Sequence, residues 1–225
     1  MRHRNTPYAF QALVIPALLL LLHTAISAQN FTIARVHYGG GGDWYSDPSS
    51  LPNLLDFLQK ETSINTAKED VRLRLTDADF YSYPYLYLTG HGNIRLTDEE
   101  VMILREALLR GVFLHADDNY GMDESFRREM KRVFPNKNFV ELPFDHPVFH
   151  SYYEFPNGLP KVHEHDGKPP QAFGLFEDDR LMVLYTYECD LGDGWEDEEA
   201  HHDPAPIREA SLKMGVNIIY FALTQ

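Results

Sequence analysis

The chain of 225 residues contains a single cysteine, Cys189, so no intrachain disulfide can form. Glu188, Asp190 and Asp193 lie beside it in sequence, and negative neighbours raise a thiol pKa, which disfavours a nucleophile. A buried, inert thiol is expected. Basic residues are scarce, with 20 Lys and Arg against 34 Asp and Glu for a formal charge of −14. So acidic a chain repels nucleic acid and anionic membrane, and neither is expected as a partner. The glycine run at 39–42 has neither GxGxxG spacing nor a Lys-Ser/Thr ending. It is therefore read as a turn that lets backbone approach a neighbour, not as a phosphate cradle. No internal repeat and no domain boundary stand out.

The one long apolar run is N-terminal. Arg2 and Arg4 precede an apolar stretch at 12–26, and Ile26-Ser27-Ala28 offers a cleavage site. This pattern predicts a signal peptide over 1–28 and one domain over 29–225. A spanning helix needs ~20 apolar residues, so an uncleaved anchor is the lesser expectation. Cleavage would leave 18 basic against 34 acidic residues, a formal −16. The expected product is exported, periplasmic or secreted, with no membrane insertion after cleavage.

The centre of the sequence is 84–121. An apolar run ends in Thr89-Gly90-His91-Gly92, a helical pattern follows, and a second apolar run ends in His115-Ala116-Asp117-Asp118-Asn119. Thr97 and Glu100 form a capping box, Leu96 and Val101 a hydrophobic staple, and Gly111 a C-terminal stop. Strand, helix and strand of these lengths require a parallel crossover, and ligands of such sheets sit beyond the carboxyl ends of the strands. Around it the pattern predicts a strand over 31–38, a helix capped by Ser50, and a strand at 71–75. A helix carrying Phe126, Met130 and Val133 and a strand at 139–142 follow. A loop-rich covering segment is expected over 143–171, then an antiparallel hairpin over 172–187 and a closing helix after Pro204. The tract 188–199 holds seven carboxylates and no base. It lacks EF-hand spacing and is expected to be a solvated acidic loop, with Trp195 packing part of it down.

YLTGHG (87–92), LTDEE (96–100), GVFLHADDN (111–119), FDHPVFHSYYEF (144–155) and GVNIIYFALT (215–224) together resemble the domain of unknown function 4159 family, over roughly residues 31–225. The resemblance implies an α/β, flavodoxin-like three-layer sandwich of the class I glutamine amidotransferase-like superfamily. Its central sheet would be mainly parallel, with the predicted hairpin as an antiparallel extension. The family brings no established activity. The superfamily's enzymes carry a cysteine on the elbow after a central strand. Here that elbow reads His115-Ala116-Asp117-Asp118, so amidotransferase chemistry is not expected.

Two functional readings follow. The first is a non-catalytic binding module of the cell envelope, with Asp43, Trp44, Gly90, His91, Gly92, Asp117, Asp118 and Asn119 as ligand-binding candidates. Its partner would be an envelope protein or a small polar or glycan ligand, for which carboxylates, amides and an exposed Trp are suited. The second is a hydrolase, possible with metal assistance, drawing on Asp117 or Asp118 with His91 or His115. Such an enzyme needs a carboxylate within hydrogen-bond reach of an imidazole in an open cleft. Asp117 or Asn119 could instead cap the helix that begins near Asp123. His146-x-x-x-His150 would bind metal only on a helix, which Pro147 opposes, and His163-Glu-His165 places two imidazoles on one side of an extended segment. No metal and no cofactor are assigned from the sequence.

Overall fold

A computed structural model of the chain describes residues 30–225; the predicted signal peptide lies outside them. Seven strands form one sheet: β1 (Ala34–Val36), β2 (Val71–Leu73), β3 (Tyr85–Gly90), β4 (Phe113–Asp118), β5 (Val140–Glu141), β6 (Gln171–Glu177) and β7 (Arg180–Tyr187). Their order is β2-β1-β3-β4-β7-β6-β5. The first four and β7 run parallel, while β6 and β5 pair antiparallel at one end. This is a flavodoxin-like α/β arrangement whose order reverses beside β1 and β3. Among the described residues no helix is long and apolar enough to cross a membrane.

Helices cover both faces. On one lie α2 (Asp98–Leu109) and α3 (Asp123–Val133), packed through Val101, Leu104, Leu108, Phe126 and Met130 on Leu86, Leu88, Leu114 and Ala116. On the other lie α1 (Ser50–Glu61), α4 (Leu191–Trp195) and α6 (Ala205–Thr224), packed through Leu51, Leu54, Trp195, Met214 and Ile218 on Tyr85, Tyr87 and Phe113. Short α5 (Glu198–His201) joins α4 to α6. Side chains alternate across a strand. Odd-numbered residues of β3 and β4 therefore face α1, α4 and α6, and even-numbered ones face α2 and α3.

The capping box forms as expected: Glu100 N–H donates to the Thr97 hydroxyl at 3.1 Å, and Thr97 N–H to the Glu100 carboxylate at 2.7 Å. Gly111 follows α2 at φ 116°, a conformation open to glycine. Ser50 does not cap α1. The helix begins at that residue, and its hydroxyl donates to the Asp47 carbonyl at 2.7 Å. The strand expected over 31–38 is shorter, with Phe31 joined to Thr66 by an isolated bridge. The tract 188–199 is not a solvated loop. Trp195 is fully buried, and with it Glu188, Asp190 and Glu196 are drawn under cover. One large aromatic thus outweighs the polarity of its neighbours, because burying so much apolar surface stabilises by several kcal/mol. The segment 143–171 is mostly irregular but places Val148, Phe149 and Leu159 in the core.

Candidate functional site

Adjacent in sequence, Asp117 and Asp118 serve opposite faces of the sheet. Asp118 accepts the N–H groups of Tyr120 (3.1 Å) and Met122 (3.2 Å) and the Tyr185 hydroxyl (3.2 Å). It thus fastens the turn into α3, the role the sequence offered to Asp117 or Asn119. Burial, followed by smaller opposing hydrogen bonds, pushes its carboxyl up to about 6.

Asp117 is fully buried on the other face. Its oxygens accept Gly192 N–H at 2.7 Å, the Thr186 hydroxyl at 2.5 Å and the Tyr87 hydroxyl at 3.4 Å. Burial pushes it up to about 7, with nearby Asp47 and Asp193 adding to the shift. Gly192 is required at this contact: a Cβ there would lie 2.8 Å from the Tyr87 hydroxyl and 3.1 Å from an Asp47 oxygen. Asn119 receives the Thr89 hydroxyl at 3.1 Å and donates to Asp47 at 2.5 Å.

Neither aspartate bonds to His91 or His115. His115 is sealed in the core, between the Tyr85 hydroxyl at 3.3 Å and the Thr186 hydroxyl at 3.0 Å. Burial lowers its pKa to about 3. His91 is exposed and sits on Asp43, with Nδ1 3.0 Å from Oδ2 and its N–H donating to Oδ1. Gly90 makes this approach possible, because a Cβ on it would meet the Asp43 carbonyl at 2.9 Å. Trp44 is half-buried, stacked on His37 with centroids 4.0 Å apart, and is not the free aromatic platform expected. The glycine run closes on the backbone of Asn93 and Arg95, as the turn reading requires. Cys189 is buried, and burial, then the charge of Asp117, pushes its thiol up.

His115 gives a pH prediction. Between its folded value near 3 and the ordinary 6.5, the unfolded chain binds a proton that the folded chain refuses. Its contribution therefore destabilises the fold as pH falls through that window, by about 1.4 kcal/mol per pH unit. Urea unfolding of the wild type and His115→Gln at pH 7.5 and pH 5 should show the stability gap shift by about 2 kcal/mol in the variant's favour. A gap independent of pH would contradict this.

The structure gathers a second group that the sequence did not single out as a site. Beside Asp47 and Asp117, the α4–α5 region supplies Asp190, Asp193, Glu196, His201 and Asp203, and the loop ahead of β6 supplies His163 and His165. His163 Nδ1 is 2.8 Å from Asp193 Oδ2 and 3.5 Å from Asp190 Oδ2, and its Nε2 is 3.1 Å from Asp203 Oδ1. His201 Nε2 is 3.1 Å from Glu196 Oε2 and 3.7 Å from Asp193 Oδ1. His165 Nε2 abuts Asp190 Oδ2. Burial, then the charges of Asp193 and Asp117, pushes Asp190 up to about 9. Burial and neighbouring Asp47 likewise push Asp193 up to about 7. Asp47 and Asp190 hold left-handed backbone at φ 53° and 50°, a conformation Asp tolerates better than most residues. The available signals were His163-Glu-His165 and the buried-Trp acidic tract, but nothing in the sequence joined them.

No curated protein matches the sequence. A family model, domain of unknown function (DUF4159), matches residues 32–223. Spanning the whole sheet and both helical layers, that match places the chain in the DUF4159 family.

Proposed function

We propose that the chain is a binding module whose ligand is held by the carboxylate and imidazole group beyond the C-terminal ends of β4 and β7. The observation that carries this reading is a division of labour among the polar groups. Asp117, Asp118, Asn119 and His115 are consumed by internal hydrogen bonds. By contrast, the side chains of His163, His201 and Asp193 keep 30%, 31% and 12% of their surface open. An excess of buried carboxylates over bases favours a ligand that brings positive charge or hydrogen-bond donors. Export to the envelope, proposed from the N-terminal leader, would present this group to small polar molecules, glycans or an envelope protein. The absence of a cysteine from the β4 elbow supports binding over amidotransferase chemistry within a glutamine amidotransferase-like lineage.

A melting-shift screen of the mature chain against polyamines, amino sugars, neutral glycans, nucleotides and divalent metals tests the reading. A ligand at about a hundred times its Kd stabilises by about 2.7 kcal/mol, and Asp193→Asn should abolish that shift. Shifts that survive Asp193→Asn, or none across the screen, would refute this group as the site. One observation favours a hydrolase: the exposed Asp43–His91 pair leaves His91 Nε2 free as a base oriented by a carboxylate. Turnover of chromogenic ester, phosphate or glycoside substrates, lost in His91→Ala, would establish that second reading.

A further inference from the structure

We propose that His163, Asp193 and His201 bind a divalent ion of the zinc class, with Asp203 orienting His163 from behind. This inference rests on the site proposed above and names its ligand.

The arrangement of acceptors is the first argument. His163 Nε2 lies 3.1 Å from Asp203 Oδ1 and hydrogen-bonds to it. If Nε2 carries the proton, as a carboxylate acceptor demands, Nδ1 is left with a lone pair. That lone pair faces Asp193 Oδ2 at 2.8 Å. Two acceptors at that distance need a positive charge between them, supplied by a proton on Nδ1 or by a metal ion. On the opposite side of Asp193, Oδ1 lies 3.7 Å from His201 Nε2, whose nearer partner is Glu196 Oε2 at 3.1 Å. Ligand bonds of about 2.1 Å in a tetrahedron separate ligand atoms by about 3.4 Å. The two contacts use different Asp193 oxygens, and one ligand atom from each of the three residues lies within 4.8 Å of the others. Asp47 and Glu196 form a second such group with the same His201, so carboxylate oxygens stand ready for a further coordination position. A carboxylate holding the remote nitrogen of a metal-bound imidazole is the usual supporting contact of such sites.

A second observation is independent of those distances. Asp190 is 2% exposed, yet its Oδ1 has no hydrogen-bond partner. Asp203 Oδ2, on a side chain 9% exposed, has none either. His165 Nε2 touches Asp190 Oδ2 but forms no hydrogen bond. Buried polar atoms are normally paired, because an unpaired one costs about 1–3 kcal/mol. The unpaired carboxylate oxygens of Asp190 and Asp203 are ones that a bound cation would neutralise. The donor set decides the class. Two imidazoles with carboxylates suit zinc and its borderline neighbours, whereas calcium and magnesium prefer oxygen alone.

The test is metal analysis and calorimetric titration of the chelator-stripped mature chain with zinc, manganese, calcium and magnesium. The expected result is one zinc per chain, with calcium and magnesium at least a hundredfold weaker. Cobalt should give visible absorption of a tetrahedral site. His163→Ala and His201→Ala should each weaken zinc at least a hundredfold, and Asp203→Asn by 10–100-fold. Circular dichroism guards against a variant that fails to fold, and the cobalt spectrum of Asp203→Asn reads the site without removing a ligand. Zinc binding unaltered in both histidine variants, or binding of calcium alone, would overturn the assignment. If no metal binds while an amine ligand does, and Asp193→Asn abolishes that binding, the metal falls and the site survives. If neither binds, both readings fall together.

Discussion

Trp195→Ala should lower the unfolding free energy by about 3–5 kcal/mol, the range for truncating a large buried aromatic. The side chain is fully buried, its Nε1–H donates to the Ser211 carbonyl at 2.9 Å, and its ring lies 5.6 Å from that of Tyr87 and 6.0 Å from that of His115. It fills the gap between the sheet, α1 and α6, where Gly215 already passes so close that a Cβ would sit 3.2 Å from the indole. Asp193 and Glu196 flank it, so the same residue that completes this core also positions two carboxylates of the proposed site. Against a total stability of about 5–15 kcal/mol, the loss should be plain in urea unfolding, and ligand-dependent melting shifts should vanish with it. Trp195→Phe should lose less, since most of the packing remains. A loss below about 1 kcal/mol for the alanine variant would show that the tract does not depend on this anchor.

Arg35→Met should cost about 3–5 kcal/mol, because it breaks a buried ion pair and orphans the groups that its guanidinium satisfies. Arg35 is fully buried in the first strand. It reaches Asp70 at 3.4 Å, the carbonyls of Ser46 at 2.6 Å and Asp47 at 3.1 Å, and the Ser50 hydroxyl at 3.2 Å. One guanidinium thereby ties β1 to the segment ahead of β2 and to the turn that starts α1. That turn also carries the Asp47 side chain to Asn119 and to the Glu196–His201 group. Removing Asp70 as well, in Arg35→Met with Asp70→Leu, should recover the part due to the orphaned carboxylate and leave the part due to the two carbonyls. Equilibrium unfolding of the four chains in this cycle separates the two. Additive losses would show that Asp70 is satisfied by Arg72, 3.6 Å away, and not by Arg35.

Much of the fold is legible before any coordinates, for local reasons. The capping box at Thr97 and Glu100, the stop at Gly111 and the apolar stripes of α1, α2 and α3 depend on residues within a turn or two of each other. The strand runs of β3 and β7 are equally local, because burial on both faces writes itself as continuous apolar sequence. Where the reading departs from the structure, a distant partner has intervened. Ser50 loses its cap because the Asp47 turn offers its hydroxyl a nearer carbonyl. The acidic tract folds down because a single Trp finds a cavity between helices far away in sequence.

The candidate site divides in the same manner. That Asp117, Asp118 and Asn119 stand at a strand end follows from the sequence alone. So does their separation onto two faces, since neighbours on a strand point oppositely. That Asp43 meets His91 does not follow from it; the pairing joins two loops across the β1–β3 switch point. Least visible was the gathering of His163, Asp193, His201 and Asp203. Each sits in a stretch that reads locally as polar loop, and no spacing rule links the segment before β6 to the one after β7. The sequence by itself determined an acidic α/β domain with a polar cluster at the ends of its central strands. Only the tertiary structure decided which of those groups are spent on holding the fold and which keep side-chain surface open. Hydrogen-bond partners and burial are set by packing between distant segments, and both decide whether a carboxylate or an imidazole is free to bind.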